Sequence, residues 1–220
     1  MSDDQKSYHH GNLAPALIAA TVAIIEERGV EHVSVREVAR RAGVSPGAPF
    51  RHFRSKAALL AAVAEQAMER LIEAVEAAQA PADDDPLDQI RRIGQGYLTW
   101  ALAHPTHFQI VSSRTLVDFE QASRVRALND RIRDRMVGLL QAAQARGELA
   151  PDADLMAVLL SCRALVYGLA RMFADGHFPE WQPCGDPAQW MDRALGDFIA
   201  GLRNDCGRAA CFPAGPTSIS

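Results

Sequence analysis

From Leu13 to Leu202 the apolar residues recur every three or four positions, and no stretch shows the strict alternation of a half-buried strand. That period admits one fold class, all-α, and its punctuation marks the helix ends. Apolar residues at 13, 17, 18, 22, 24 and 25 predict a helix from Leu13 to Arg28, with Asn12 as N-cap and Gly29 as the glycine beyond its end. Ser34 with Glu37 three residues on is a capping box for a short helix that Gly43 ends. Ser45 caps the next, with Pro46 at its first position, and that helix is expected to reach Phe53. Pro49 falls fourth in it and forfeits at most the first intrahelical bond, so the helix should start loosely. Ser55 caps a longer helix that continues to about Ala80 through Leu59, Leu60, Val63, Ala67, Leu71 and Val75.

Residues 81–86, Pro-Ala-Asp-Asp-Asp-Pro, break the pattern and mark a candidate domain boundary. Five more helices are expected beyond it, at about 86–104, 106–112, 118–146, 152–174 and 187–202, and residues from Gly201 onward lack periodicity and read as a loose tail.

The chain has 220 residues, 48% of them hydrophobic and 23% charged, which excludes wholesale disorder and is enough to bury a core. No run reaches about 18 consecutive apolar residues, so no membrane span is expected. The polar, acidic start lacks the apolar stretch of a signal peptide, and four cysteines without a CxxC pair make no disulfide framework. A reduced, cytoplasmic setting is the expectation.

Charge is unevenly placed. Residues 34–56 hold Arg36, Arg40, Arg41, Arg51, Arg54 and Lys56 against Glu37 alone, a surplus of five in a chain whose net charge is −4. One basic island in an acidic protein localises affinity for anions. The island coincides with two short helices meeting at Gly43-Val44, where Val38, Ala42 and Val44 face inward and small Ala39 lets the axes approach. That is a helix-turn-helix, whose second helix fits a DNA major groove. Arg36 and Arg40 share one face of the first helix, and Lys56 stands at a helix N-terminus, where the dipole favours phosphate.

Three segments carry a resemblance: Tyr8-His9-His10-Gly11-Asn12-Leu13, then Val35-Arg36-Glu37-Val38-Ala39-Arg40-Arg41-Ala42-Gly43-Val44-Ser45, then Ala48-Pro49-Phe50-Arg51-His52-Phe53 with Ser55-Lys56-Ala57-Ala58-Leu59-Leu60. Together they resemble the N-terminal domain of TetR-type transcriptional regulators over roughly residues 8–65. Tyr97 to Pro105 also looks like the regulatory domain of one subgroup. The resemblance implies a three-helix DNA-binding domain within residues 1–56 and a helical regulatory and dimerisation domain over 57–202, with 203–220 as the tail. A long helix joins the two domains. It implies a homodimer through the last two long helices, a palindromic duplex operator, a small-molecule effector, no enzyme activity and no cofactor. Its motif positions give Arg36, Pro46, Gly47, Ala48 and Arg51 to bases or the adjacent backbone, and His52 and Lys56 to phosphate. Family members usually carry tyrosine where this chain has Phe50, which cannot hydrogen-bond a phosphate, so Phe50 is expected to serve mostly in packing; Phe53 is a core position. The first turn, Pro46 to Pro49, offers bases only apolar contact, which suits a thymine methyl, while Arg51 suits guanine.

On the regulatory helices Trp100, His104, His107, Phe108, Arg163, Tyr167 and Met172 are candidate cavity residues. Arg163, on an otherwise apolar helix, needs a partner if buried, either a ligand or an acid such as Asp118 or Asp154. The competing reading is a helical enzyme, or a redox or metal sensor built on the seven histidines and four cysteines. The adjacent His9 and His10 diverge on a helix, Cys184, Cys206 and Cys211 lack zinc-site spacing, and Cys162 reads as a small core residue, so no metal site is assigned.

Overall fold

The computed structural model describes residues 13–79, 85–113, 115–117, 122–181 and 185–203. Among them are nine α-helices and no strand: α1 Leu13–Arg28, α2 Val35–Arg41, α3 Lys56–Ala77, α4 Pro86–Ala103, α5 Pro105–Ser112, α6 Ser123–Ala145, α7 Leu155–Ala174, α8 Phe178–Trp181 and α9 Pro187–Leu202. Asn12 lies outside the described residues.

The N-terminal head is α1 crossing α2 and the start of α3. Leu17, Ile24, Val38, Leu59 and Val63 are fully buried between them, each worth about 1.5–3 kcal/mol of apolar burial. Gly29 ends α1 at φ +90° and Gly43 ends α2 at φ +68°, a region that L side chains adopt only with strain. Ser34 accepts from the Glu37 amide at 3.2 Å, which is half of the capping box. The other half is not closed. Glu37 instead holds Arg28 at 3.0 Å and Arg40 at 2.7 Å, because two guanidiniums outcompete one amide.

The expected helix from Pro46 to Phe53 is corrected: only Pro49–Arg51 is helical, as one 3₁₀ turn capped by Ala48 rather than Ser45. Ala48 and Arg51 donate three residues back, at 3.0 and 3.3 Å, and only Phe53 reaches four back, to Pro49. The cause is local. Two prolines remove two amide donors in four residues and Gly47 adds backbone freedom, so no second α-turn propagates. Pro49 and Phe53 are buried and anchor this reading turn to the head.

α3 is continuous from the reading turn into the second half of the molecule. Its Ser55 cap accepts from Ala58 at 3.1 Å as expected, and its 22 residues span about 33 Å. The expected boundary at residues 81–86 is corrected too, since α3 and α4 pack side by side as a hairpin across it. At Gly96 a Cβ would stand 2.7 Å from the Ala74 carbonyl, so the backbones nearly touch. α3 also lies along α6, where Glu69 pairs with Arg124 and Glu76 with Arg131, and Arg135 donates to Gln79 at 2.8 Å.

The remaining differences are at ends. α7 begins at Leu155, not 152, because Asp154 is the residue whose carboxylate caps Met156 and Ala157. α8 is a single turn, too short to leave a periodic trace. Gly201 and Leu202 still belong to α9, and Arg203 pairs with Asp85 and Glu148, so the chain is tied down there. One continuous core runs from Leu17 to Ile199.

Candidate nucleic-acid interface and regulatory cavity

The reading turn presents Pro46, Gly47, Phe50, Arg51 and His52 to solvent, with Ala48 half-buried, and Arg36 is exposed on the adjacent α2. Phe50 is 50% exposed, so it is not the packing residue expected; the 3₁₀ turn aims it outward beside Arg51. The basic island is partly spent internally. Arg40 and Arg28 share Glu37, and Arg41 pairs with Glu27. The Arg40 hydrogen bond, with Arg28 adding, holds the Glu37 carboxyl down to about 2, so this bridge keeps its charge at any physiological pH. Arg36, Arg51 and Arg54 have no carboxylate partner among the described residues and carry the outward positive charge. Lys56 is half-buried and donates to the Val30 carbonyl at 2.6 Å, closing α3 onto the α1–α2 turn. Its charge stays near the surface, but its first duty is structural.

The candidate cavity residues separate into two groups. Trp100, Phe108 and Tyr167, with Tyr97, pack ring against ring at 5.8–6.4 Å between α4, α5 and α7, and Trp100 and Phe108 are wholly buried. They fill core rather than line space. His107 is buried, 3.3 Å from Gln66 of α3, and its ring meets His104 edge-on at 5.6 Å. Burial, then the charge of Arg70, then His104, pull the His107 imidazole down to about 4, so it is neutral. Met172 is half-buried near the end of α7.

Of the seven candidates only Arg163 borders the cavity of about 40 Å³ enclosed by α3, α4, α6, α7 and α9. Val75, Ile90, Ile93, Met136, Val166 and Ile199 supply most of its wall. Gly94 lies in this wall and lets Leu195 of α9 pack directly over α4; a Cβ there would meet the Leu195 side chain at 2.8 Å. In the sequence Gly94 stands on an apolar helix face in line with Ile90 and Tyr97, four and three residues away. The Arg163 guanidinium lies 4.9 Å from the Tyr97 ring centre and 5.6 Å from that of Tyr167. Asp154 is occupied as a cap, and Asp118 lies outside the described residues.

Cys162 is buried, and burial pushes its thiol up to about 11, as suits a core cysteine. Among the described residues no three His, Cys, Asp or Glu side chains converge on a metal position. His9, His10, Cys184, Cys206 and Cys211 lie outside those residues. α7 is long and apolar enough, with a mean hydropathy of 1.5, to cross a membrane by length and composition; here it packs on α4, α6 and α9.

Comparison with known proteins matches both halves of the chain. The pattern of bacterial regulatory proteins of the tetR family covers residues 17–63, and that of the tetracyclin repressor-like C-terminal domain covers 90–198. The HTH-type transcriptional regulator BetI of Stenotrophomonas maltophilia is 41% identical over 80 residues, 36% of this chain and 41% of that protein. The chain spans about two-fifths of the length of the curated BetI relatives it matches. A Rhodococcus sp. RHA1 protein of unknown function superposes with a TM-score of 0.74 at 30% identity, over 91% of this chain and all of that one. A tetR-family regulatory protein from Rhodococcus RHA1 gives 0.68 at 20% identity, over 86% and 96%. These matches point to a regulator rather than an enzyme, and the chain belongs to the TetR family of DNA-binding transcriptional regulators.

Proposed function

We propose that the protein is a homodimeric, effector-responsive repressor acting in the cytoplasm on a palindromic duplex operator, its DNA-reading head ending at residue 56 and its regulatory body following to residue 202. The observation that carries the proposal is α3. It is one helix that starts under the reading turn at Lys56 and places Val75 in the cavity wall, about 28 Å away along its axis. A molecule that favours one packing of the cavity also favours one placement of the head, and its differential affinity sets the shift in DNA affinity.

The dimer is supported by α7 and α9. On α7 Leu160 is 68% exposed and Met156 64%, and on α9 Trp190 is exposed as well. Such a face is normal where a second copy covers it.

Toward DNA, Arg51 takes a base or its flanking phosphate, Arg36 the neighbouring backbone, and His52 and Lys56 phosphates; Pro46, Gly47 and Ala48 let the chain approach the groove closely. Trp100, His104, His107, Phe108, Tyr167 and Met172 act on the effector through packing and Arg163 by contact. Fluorescence anisotropy with labelled duplex across a salt series tests the interface. Affinity should fall steeply with salt, and Arg51→Ala should weaken binding by about 1–3 kcal/mol or flatten the salt slope by about one unit. A salt-independent affinity, equal in wild type and Arg51→Ala, would refute it.

A further inference from the structure

We propose that the cavity takes an apolar monocarboxylate, its carboxylate held at the lip by Arg163 and its hydrocarbon body against the walls supplied by α4 and α9. This names the ligand class for the effector reading above and rests on it.

Three observations converge. The walls are hydrocarbon except for the Arg163 guanidinium, the Tyr97 hydroxyl and the Cys162 thiol, so the body of a ligand gains by burying apolar surface. Arg163 is a permanent cation bordering that space with no carboxylate partner among the described residues. Two tyrosine rings flank it, at 4.9 and 5.6 Å, which fixes the planar group without neutralising it. An arginine fork pairs both oxygens of a carboxylate at once. A cation would meet repulsion with no acid in the wall to offset it, and a dianionic phosphate would meet one positive charge where it needs more. The space is small, and Leu195 packs closely over Gly94 in its wall, so the body that enters is narrow and a few carbons long.

Isothermal titration of the full chain with hexanoate, hexanamide and hexylammonium tests the assignment. Hexanoate should bind at least about tenfold tighter than hexanamide, and hexylammonium weakest. Arg163→Gln, at a solvent-facing position, should remove most of the preference for hexanoate while leaving hexanamide within about threefold of wild type. Gly94→Ala should weaken both, because its Cβ displaces the movable end of Leu195, which lines the cavity. Equal binding of hexanoate and hexanamide, no effect of Arg163→Gln, or no hexanoate binding at all would overturn the proposal.

The same samples report on the effector reading separately. Arg163-dependent hexanoate binding without any change in operator affinity upholds the carboxylate site and overturns its regulatory use. Operator release by hexylammonium, unchanged in Arg163→Gln, upholds the regulatory reading and overturns the carboxylate site.

Discussion

His107 shows how a single buried side chain makes this fold sensitive to acid. Its imidazole sits between α5 and α3 with Gln66 as its partner, and burial, Arg70 and His104 lower it from an ordinary 6.5 to about 4. The unfolded chain therefore takes up the proton first. The full contribution is present above pH 6.5, falls as pH drops from 6.5 to 4, and is lost below that, on the order of 3 kcal/mol in all. Urea midpoints at pH 7.5 and 4.5 should thus converge in His107→Gln relative to wild type; an identical acid loss in both would place the sensitivity elsewhere. At the same scale, Arg163 was legible in the sequence because a charge on an apolar helix demands an explanation. Lys56 was legible only as a cation, since nothing in its neighbours foretells that the Val30 carbonyl, 26 residues away in sequence, claims its amine.

At the scale of elements, α3 meets its two long neighbours in different ways. Against α4 the contact at Gly96 is backbone on backbone, whereas against α6 it is joined at its rim by exposed ion pairs worth about 0–1 kcal/mol each. Gly96→Ala should lower stability by about 1–3 kcal/mol, because neither the Ala74 carbonyl nor the Val75 Cα can yield without parting the helices. Gly138→Ala, in an exposed stretch of α6 with open space at its Cβ, should instead raise stability by up to about 1 kcal/mol. Thermal melts of the two variants check the contrast, and equal effects would contradict it. α3 was legible from its period and its Ser55 cap, α1 from its period and Gly29, and α9 from its period, since these signals are local. The reading turn was not, because its first residues satisfy every start signal for a helix while Pro49 removes the donor that would propagate it. The cavity was hidden for a different reason: its wall is assembled from five helices far apart in the sequence, and no local signal shows how they meet.

At the scale of the whole molecule, an apolar face on α7 and a basic turn at the far end of α3 make sense as parts of a symmetric pair. Leu160→Glu places a charge in the exposed apolar face and should shift sedimentation from dimer to monomer at micromolar concentration while leaving the helical circular dichroism unchanged. A dimer that survives this substitution would have its interface elsewhere. Loss of the dimer should cost operator affinity far more than any single contact, because two half-sites are then no longer bound at once.

Whether two such reading turns engage one operator together is measured most directly by selection of bound sequences from random duplex. A palindrome should be enriched whose half-sites lie about 10 base pairs apart centre to centre or a multiple of that, matching turns about 34–36 Å apart on one face of the duplex. Each half should carry a guanine that relaxes in Arg51→Ala and a thymine beside it. A single asymmetric motif, or no enrichment at all, would contradict it.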